Sequence, residues 1–343
     1  MATSQESSSR TRPLAGAPCW IISDGKAGHE TQAKGVAEAL GAEVVLKRVS
    51  PKGPWRWAAP WGPVAPAERF GQPESEFCPP WPPIAIAVGR AAIPYIRALK
   101  RRAGPATFTV VLEDPRAGCN IADFLWVPEH DPLRGPNVMA TSTSPHSFSS
   151  QRFAALRERV PDAIAALPTP RVAVILGGKN AVYRFKDADD DRLATALASL
   201  GELGASFMVT TSRRTHARLL SVVEKATAGR PRIVYTGDGP NPYADFLANA
   251  DVLVVTADSV NMTGEACATG RPVYVFTPSG GSDKFRRFHD ALRAHGATRE
   301  LPARVDVMPD WRYEPLDSSA RIAEEIEARY ERRARMLGGM MGK

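Results

Sequence analysis

The sequence predicts an α/β protein of two Rossmann-like units in tandem, and three observations predict it. Short β-branched runs alternate with helical patterns along the chain, the layering that surrounds a parallel sheet. Each half opens with an apolar strand running straight into a glycine turn, "WIISDGKAG" from Trp20 and "VILGGKN" from Val174. Between the halves, "RVPDAIAALPTPR" carries Pro161, Pro168 and Pro170 and ends a helix, so it reads as a linker. The 343 residues suffice for two domains of roughly 150 residues, each burying its own core. The expected division is a disordered tail over 1–15, an amino-terminal unit over 16–165, a carboxyl-terminal unit over 171–317 and a final helix over 318–343.

In the first half strands fit 20–23, 43–49, 84–88, 107–112 and 124–127, and helices fit 30–40 and 91–102. Residues 51–83 interrupt this alternation with ten prolines and four of the seven tryptophans, a composition that excludes a regular helix or a central strand. Tryptophans on such a loop suit a membrane interface or a sugar face, and equally suit pinning the loop to its domain. In the second half strands fit 171–176, 206–211, 233–236, 252–256 and 273–276, with helices over 189–200, 215–228, 242–248, 262–269 and 285–295. The last helix sets Ile322, Ile326 and Tyr330 on one face and pairs acids with arginines at i,i+4 on the other.

The composition, 43% hydrophobic and 24% charged, is that of a globular chain. No apolar stretch approaches the ~20 residues that span a bilayer, and the first fifteen residues lack the apolar core of a secretory signal. Cys19, Cys78, Cys119 and Cys267 form no C-x-x-C pair, which argues against a zinc ribbon or a disulfide framework. A reducing, cytoplasmic compartment is expected. The formal charge of +7 favours anionic partners. Its only dense basic cluster, "YIRALKRRAG", reads as the solvated end of a helix, so no nucleic-acid partner is expected.

Two loops carry chemistry. "DGKAGHE" is not a P-loop, because Lys26 is followed by Ala27 and the G-x-x-x-x-G spacing is missing. It offers Gly25 and Gly28 for close backbone approach at a helix start, with Asp24, Lys26 and His29 beside them. Either His29 or Asp24 can take a proton from an attacking hydroxyl; helix capping or plain exposure also fits His29. In "VTADSVNMTGEACATG", the side chains of Ser259, Asn261 and Thr263 join free N–H groups at a helix start, an anion site fit for a diphosphate. Glu265, within two turns, can accept bidentate bonds from a ribose diol. The cluster "DADDD" sits at a helix start, where carboxylates suit the dipole and read as an exposed cap.

A strand followed by S-x-x-M-x-x-E-A and G-x-P-V resembles the donor site of GT-B glycosyltransferases, and "GKAGH" resembles the first-loop G-x-x-G-H turn of the peptidoglycan N-acetylglucosaminyltransferase. The chain more closely resembles the mitochondrial-fission Elm-type family of plants and proteobacteria. The shared marks are "DGKAGHETQ" at 24–32, "PPWPP" followed by a strand and Gly89-Arg90, "GGKN" at 177–180, "TSRRT" at 211–215, "NPY" at 241–243, "VTADSVNMTGEA" at 255–266 and "KFRRFH" at 284–289.

The resemblance implies a GT-B-like pair of units facing a central cleft, with the final helix packing back on the amino-terminal unit. It implies a metal-independent glycosyltransferase that takes sugar from a nucleotide sugar, used as a substrate with no tightly bound cofactor, to a lipid-linked or surface-glycan acceptor. A non-catalytic peripheral membrane or scaffold protein of the same family is the alternative. An anionic membrane surface at the inner face of the membrane is the implied neighbour in either case. On the donor side the resemblance assigns Ser259, Asn261 and Thr263 to the diphosphate and Glu265 to the ribose, with Met262 and Asn180 also in the donor site. The turn containing Asp238 and Asn241 is assigned to the base, Gly177 and Gly178 to close approach, and Arg213 and Lys284 to phosphate charge. Gly25, Gly28 and Arg90 fall on the acceptor side, and His29 or Asp24 is the base. A nicotinamide-dependent short-chain epimerase is disfavoured: its G-x-x-G-x-x-G and Y-x-x-x-K are both missing.

Overall fold

The opening apolar run becomes β1 (Pro18–Ser23), and the glycine turn after it feeds α1 (Ala27–Ala39). The computed structural model describes residues 12–72 and 75–341, which form two units, each around its own sheet. The first unit continues through β2 (Glu43–Arg48), the short α2 (Pro54–Ala58), β3 (Ile84–Val88), α3 (Ile93–Ala103), β4 (Phe108–Leu112), β5 (Phe124–Pro128) and β6 (Val138–Thr141). Its strand order is β2-β1-β3-β4-β5-β6, and β1 pairs parallel with both β2 and β3. Side chains alternate across this sheet. Ile21, Ile86 and Val110 join the core on one side, and Trp20, Ala87 and Val111 the core on the other.

The second unit opens with α4 (Ser150–Glu158) and α5 (Asp162–Ala165), then alternates β7 (Arg171–Leu176), α6 (Asp187–Glu202), β8 (Ser206–Thr211), α7 (Ala217–Ala226), β9 (Arg232–Tyr235), α8 (Tyr243–Asn249), β10 (Val252–Thr256), α9 (Val260–Cys267), β11 (Val273–Phe276), α10 (Asp283–Ala294) and β12 (Thr298–Glu300). The order is β12-β11-β10-β7-β8-β9, parallel at every pairing. This is the doubly wound order, whose direction of winding reverses between β7 and β10. In the first unit the reversal falls between β1 and β3. Open α/β sheets hold ligands at the carboxyl ends of such strand pairs.

The last helix, α11 (Ser318–Met341), closes the first unit. Ile322, Ala323 and Ile326 are fully buried with Leu14, Cys19 and Leu40, and each isoleucine contributes about 1.5–3 kcal/mol through burial. The Arg333 guanidinium donates to the Asp123 carboxylate at 2.9 Å and to the Gly104 carbonyl at 3.0 Å.

Several expectations need correction. The chain passes from the first unit to the second between residues 127 and 141 and returns at Ser319. The proline-rich "linker" lies inside the second unit, where Ile164 and Leu167 are buried. Of the expected tail, residues 1–11 fall outside the described residues, but Leu14 is a core residue. The proline-rich segment does contain two short helical turns, α2 and a 3-10 turn at Pro66–Glu68, because Pro54 and Pro66 sit at their starts, where a missing N–H costs nothing. The acid cluster is only partly an exposed cap: Asp189 and Asp190 are buried, the first accepting the Lys186 and Ser279 N–H groups, the second held by His216 and Arg218.

Candidate functional site

The reversal point of the first unit gathers residues from the ends of three strands. Ser23 ends β1 and its hydroxyl accepts the Gly25 N–H at 3.0 Å, turning the chain into α1 with Gly25 at φ +81. Asp24 is thereby lifted clear of the strand, and the first turn of α1 brings His29 back beside it, Nδ1 2.8 Å from Oδ1. An ionised carboxylate only accepts, so Nδ1 carries the proton and the other ring nitrogen is left for chemistry. That nitrogen, Nε2, lies 3.6 Å from Oε2 of Glu113. Glu113 follows β4 with φ +72, an uncommon conformation for a residue with a side chain.

Gly89, after β3, completes the packing. A Cβ there would lie 2.6 Å from Asp24 Cγ and 2.8 Å from His29 Nδ1, and its φ is +86. Burial raises the Asp24 pKa, but bonds from His29 and from Lys26, whose ammonium is 3.1 Å away, outweigh it and leave the carboxyl below its ordinary value. An ionised carboxylate thus orients the imidazole, and a second carboxylate awaits the positive charge that proton capture would create.

The second unit builds its reversal point on Asp258, two residues beyond β10. Its Oδ2 accepts the Gly178 N–H at 3.0 Å and the Arg214 guanidinium at 2.8 Å. Its Oδ1 accepts the Thr256 hydroxyl at 2.7 Å, and that hydroxyl in turn accepts the Gly177 N–H at 2.8 Å. Burial nevertheless keeps the Asp258 carboxyl above its ordinary pKa. The role expected for the two glycines changes here. A Cβ on Gly177 would overlap the Asp258 carboxylate, and one on Gly178 the Arg214 carbonyl. Their missing side chains make room for protein atoms. Asn180 is likewise occupied within the fold: its amide donates to the Asp258 carbonyl and its oxygen accepts the Val182 and Tyr183 N–H groups.

Beside this cluster, at the carboxyl ends of β7 and β8, is a cavity of about 200 Å³ lined by Leu176, Thr211, Asn241, Tyr243, Met262 and Glu265 among others. Tyr243 donates its hydroxyl to Glu265 Oε2 at 2.5 Å. Burial pushes the Glu265 carboxyl up to about 7, against the pull of that bond. Burial and the facing charge hold the Tyr243 phenol well above its ordinary value, so it remains a donor.

Of the expected donor ligands, Asn241, Met262 and Glu265 meet in this cavity. Ser259 caps α9, accepting the Met262 N–H at 3.4 Å, and Asn261 lies part-exposed in the first turn. Thr263 is a correction. It is fully buried and donates its hydroxyl to the Ser259 carbonyl at 2.9 Å, as helical threonines do, so it has no access to a ligand. Asp238 and Arg213 are exposed, and Lys284 is paired with Asp131 at 2.9 Å. Arg90, expected on the acceptor side, clamps the tryptophan loop through the Ala59 and Trp57 carbonyls. Arg97 does the same through those of Trp61 and Gly62. The indoles of Trp57 and Trp61 stay 78% and 65% exposed.

The sequence assigned no role to Glu113, Gly89, Tyr243, Asp258 or Arg214. All but Glu113 lie inside the quoted family motifs, and only the strand order says which of them meet. Among the described residues there is no group of three or more His, Cys, Asp or Glu arranged to hold a metal. No helix among them is long and apolar enough to cross a membrane.

The family model described as "Mitochondrial fission ELM1" matches residues 27–330. The mitochondrial fission protein ELM1 of Arabidopsis thaliana is 31% identical over 279 residues, covering 72% of this chain and 65% of that protein. An uncharacterized protein of Rickettsia prowazekii is 30% identical over 160 residues, 45% of each chain. The chain thus spans less than two thirds of the length of the curated relatives it matches. Among solved structures, a UDP-GlcNAc 2-epimerase of Methanocaldococcus jannaschii aligns over 91% of this chain and 99% of its own, at 10% identity and a TM-score of 0.48.

Proposed function

This chain belongs to the mitochondrial fission ELM1 family, and we propose that it is a glycosyltransferase that binds a nucleotide sugar through its second unit. The observation that carries this reading is the half-buried Glu265 carboxyl in the wall of the cavity at the ends of β7 and β8, backed by the Tyr243 hydroxyl. A carboxylate there can accept both hydroxyls of a ribose. The cavity is small for a whole nucleotide sugar, so it takes the ribose, and the diphosphate extends over the first turn of α9. Backbone N–H groups and nearby cations would stabilise the departing nucleoside diphosphate, so the reading requires no metal.

In the first unit, His29 takes the proton of the acceptor hydroxyl at Nε2. Asp24 fixes the tautomer, and Glu113 stabilises the imidazolium. A lipid-linked acceptor, and with it a peripheral position at a membrane, is supported by the two exposed indoles on a loop held by Arg90 and Arg97. The test is thermal shift with UDP, GDP, CDP and ADP. One nucleotide is expected to stabilise the chain, and Glu265→Ala to abolish the response. If none does, the non-catalytic scaffold reading takes its place.

A further inference from the structure

We propose that two copies of this chain associate through β2, edge to edge and antiparallel, so that their first sheets join across a two-fold axis at Val45. β2 lies at the edge of its sheet and pairs with β1 alone. The chain that follows adds no strand beyond it. It turns inward at Val49, which is buried in the core around Trp20.

Two bonds fix which backbone groups face out. Glu43 N–H donates to the Ala17 carbonyl and Val49 N–H to the Ser23 carbonyl, both at 2.9 Å, so the odd-numbered residues bond β1. Val44, Leu46 and Arg48 therefore turn their N–H and C=O groups outward, where none has a backbone partner among the described residues. The side chains of Val44 and Val45 are 39% and 37% exposed. A bare edge of this kind is a template for another strand.

Charge says which strand. A lone charge on an edge would face itself in a second copy, and proteins use this to keep edges apart. β2 instead carries an acid and a base four residues apart, Glu43 and Lys47, with Val45 midway. These three side chains share one face of the strand, the face on which the Lys47 ammonium stands 5.1 Å over the Trp20 ring. Neither Glu43 nor Lys47 has an oppositely charged partner among the described residues. Arg48, by contrast, is taken by Glu30 at 2.7 Å.

The register follows. Outward residues must pair with outward residues, so with most of the strand engaged the two-fold axis can pass through Val44, Val45 or Leu46. Centred on Val44, each Glu43 lies opposite Val45; centred on Leu46, each Lys47 does. Only the centre at Val45 sets each Glu43 opposite the Lys47 of the other copy. Val44 then exchanges backbone bonds with Leu46 of that copy, and the two Val45 side chains meet between the ion pairs. The edge is complementary to itself, as a two-fold interface requires, so a second copy is the partner it fits. Nothing in this depends on the nucleotide-binding reading.

Sedimentation velocity of the full chain from about 1 to about 100 µM should show monomer passing into dimer as concentration rises. Glu43→Lys and Lys47→Glu each set like charges opposite one another, and each should weaken the dimer Kd about tenfold or more. The double reversal, Glu43→Lys with Lys47→Glu, should bring it back to within about threefold of the parent. Cysteine cross-linking under a mild oxidant reads the register. Val45→Cys should give a disulfide-linked dimer, because directly opposed residues of this kind lie about 4.5 Å apart at Cα. Val44→Cys, offset by two residues from its counterpart, should not, and neither should the parent with its four cysteines. The proposal is overturned if the chain stays monomeric throughout, if neither reversal weakens the dimer, if the double reversal fails to restore it, or if Val44→Cys cross-links and Val45→Cys does not.

Discussion

The Tyr243 hydroxyl lies 2.5 Å from Glu265 Oε2 and links α8 to α9 in the wall of the cavity at the ends of β7 and β8. One phenol is the main compensation for a carboxyl that burial lifts to about 7. To accept two hydroxyls of a ribose, the group must first be ionised. Affinity for the stabilising nucleotide should therefore be level above about pH 8 and fall about tenfold per pH unit well below pH 7. Calorimetric titration across that range checks this, and Glu265→Gln should bind weakly with a flat profile.

The same group makes a prediction for folding. The folded chain holds the Glu265 proton up to about 7, and the ordinary carboxyl value is 4.5. Between those two values the native state binds more protons than the unfolded state, so stability falls as pH rises through the window. Glu265→Gln should stabilise the protein by up to about 3 kcal/mol at pH 8 and by little near pH 4. Urea unfolding at the two pH values reads the difference, and an equal gain at both would rule out ionisation as its cause.

Around His29, the roles differ in size. His29→Ala and Asp24→Asn should each lower hydrolysis or transfer of the matching nucleotide sugar by about 10²–10⁴, with nucleotide binding retained. Glu113→Gln should cost less, about tenfold, since it removes charge stabilisation and leaves the tautomer in place. Unchanged turnover in all three would remove this cluster from the mechanism.

Gly89 is required by two independent constraints, a positive φ and the proximity of Asp24 and His29. Gly89→Ala should destabilise the first unit by about 1–3 kcal/mol, measured by chemical denaturation. It should also displace the His29 ring signals in NMR, which a purely local backbone strain would leave in place.

The tryptophan loop can be tested without knowing the substrate. Sedimentation with anionic phosphatidylserine vesicles should show binding that falls when Trp57 and Trp61 are replaced by alanine, the two indoles most exposed on the loop. Binding unaffected by the change would mean that the indoles serve only the loop.

The fold was readable because its inner strands are continuous apolar runs. β3, β7 and β10 need little more than composition to be recognised, and glycines follow the first two directly. β6 and β12 are only 4 and 3 residues long, the second of them with Arg299 and Glu300, too short to carry such a pattern, and they sit at sheet edges. The site was legible where a residue's role is local. Glu265 is one, since two turns of helix fix its position relative to the loop before it. Asp258, Arg214 and Glu113 act through partners far away in sequence, and Thr263 was misplaced because a helical hydroxyl can turn back onto its own backbone.

α11 has a consequence for how this chain matures. Domains generally fold in the order in which the ribosome releases them. Here the first sheet emerges early but lacks Ile322 and Ile326, which belong to its core and are translated only after the whole of the second unit. The second unit is complete at Ser318 and can settle while its predecessor is still waiting. The half that is synthesised first is finished last, and until then it exposes the apolar surface around Leu14 and Leu40 that a chaperone would recognise.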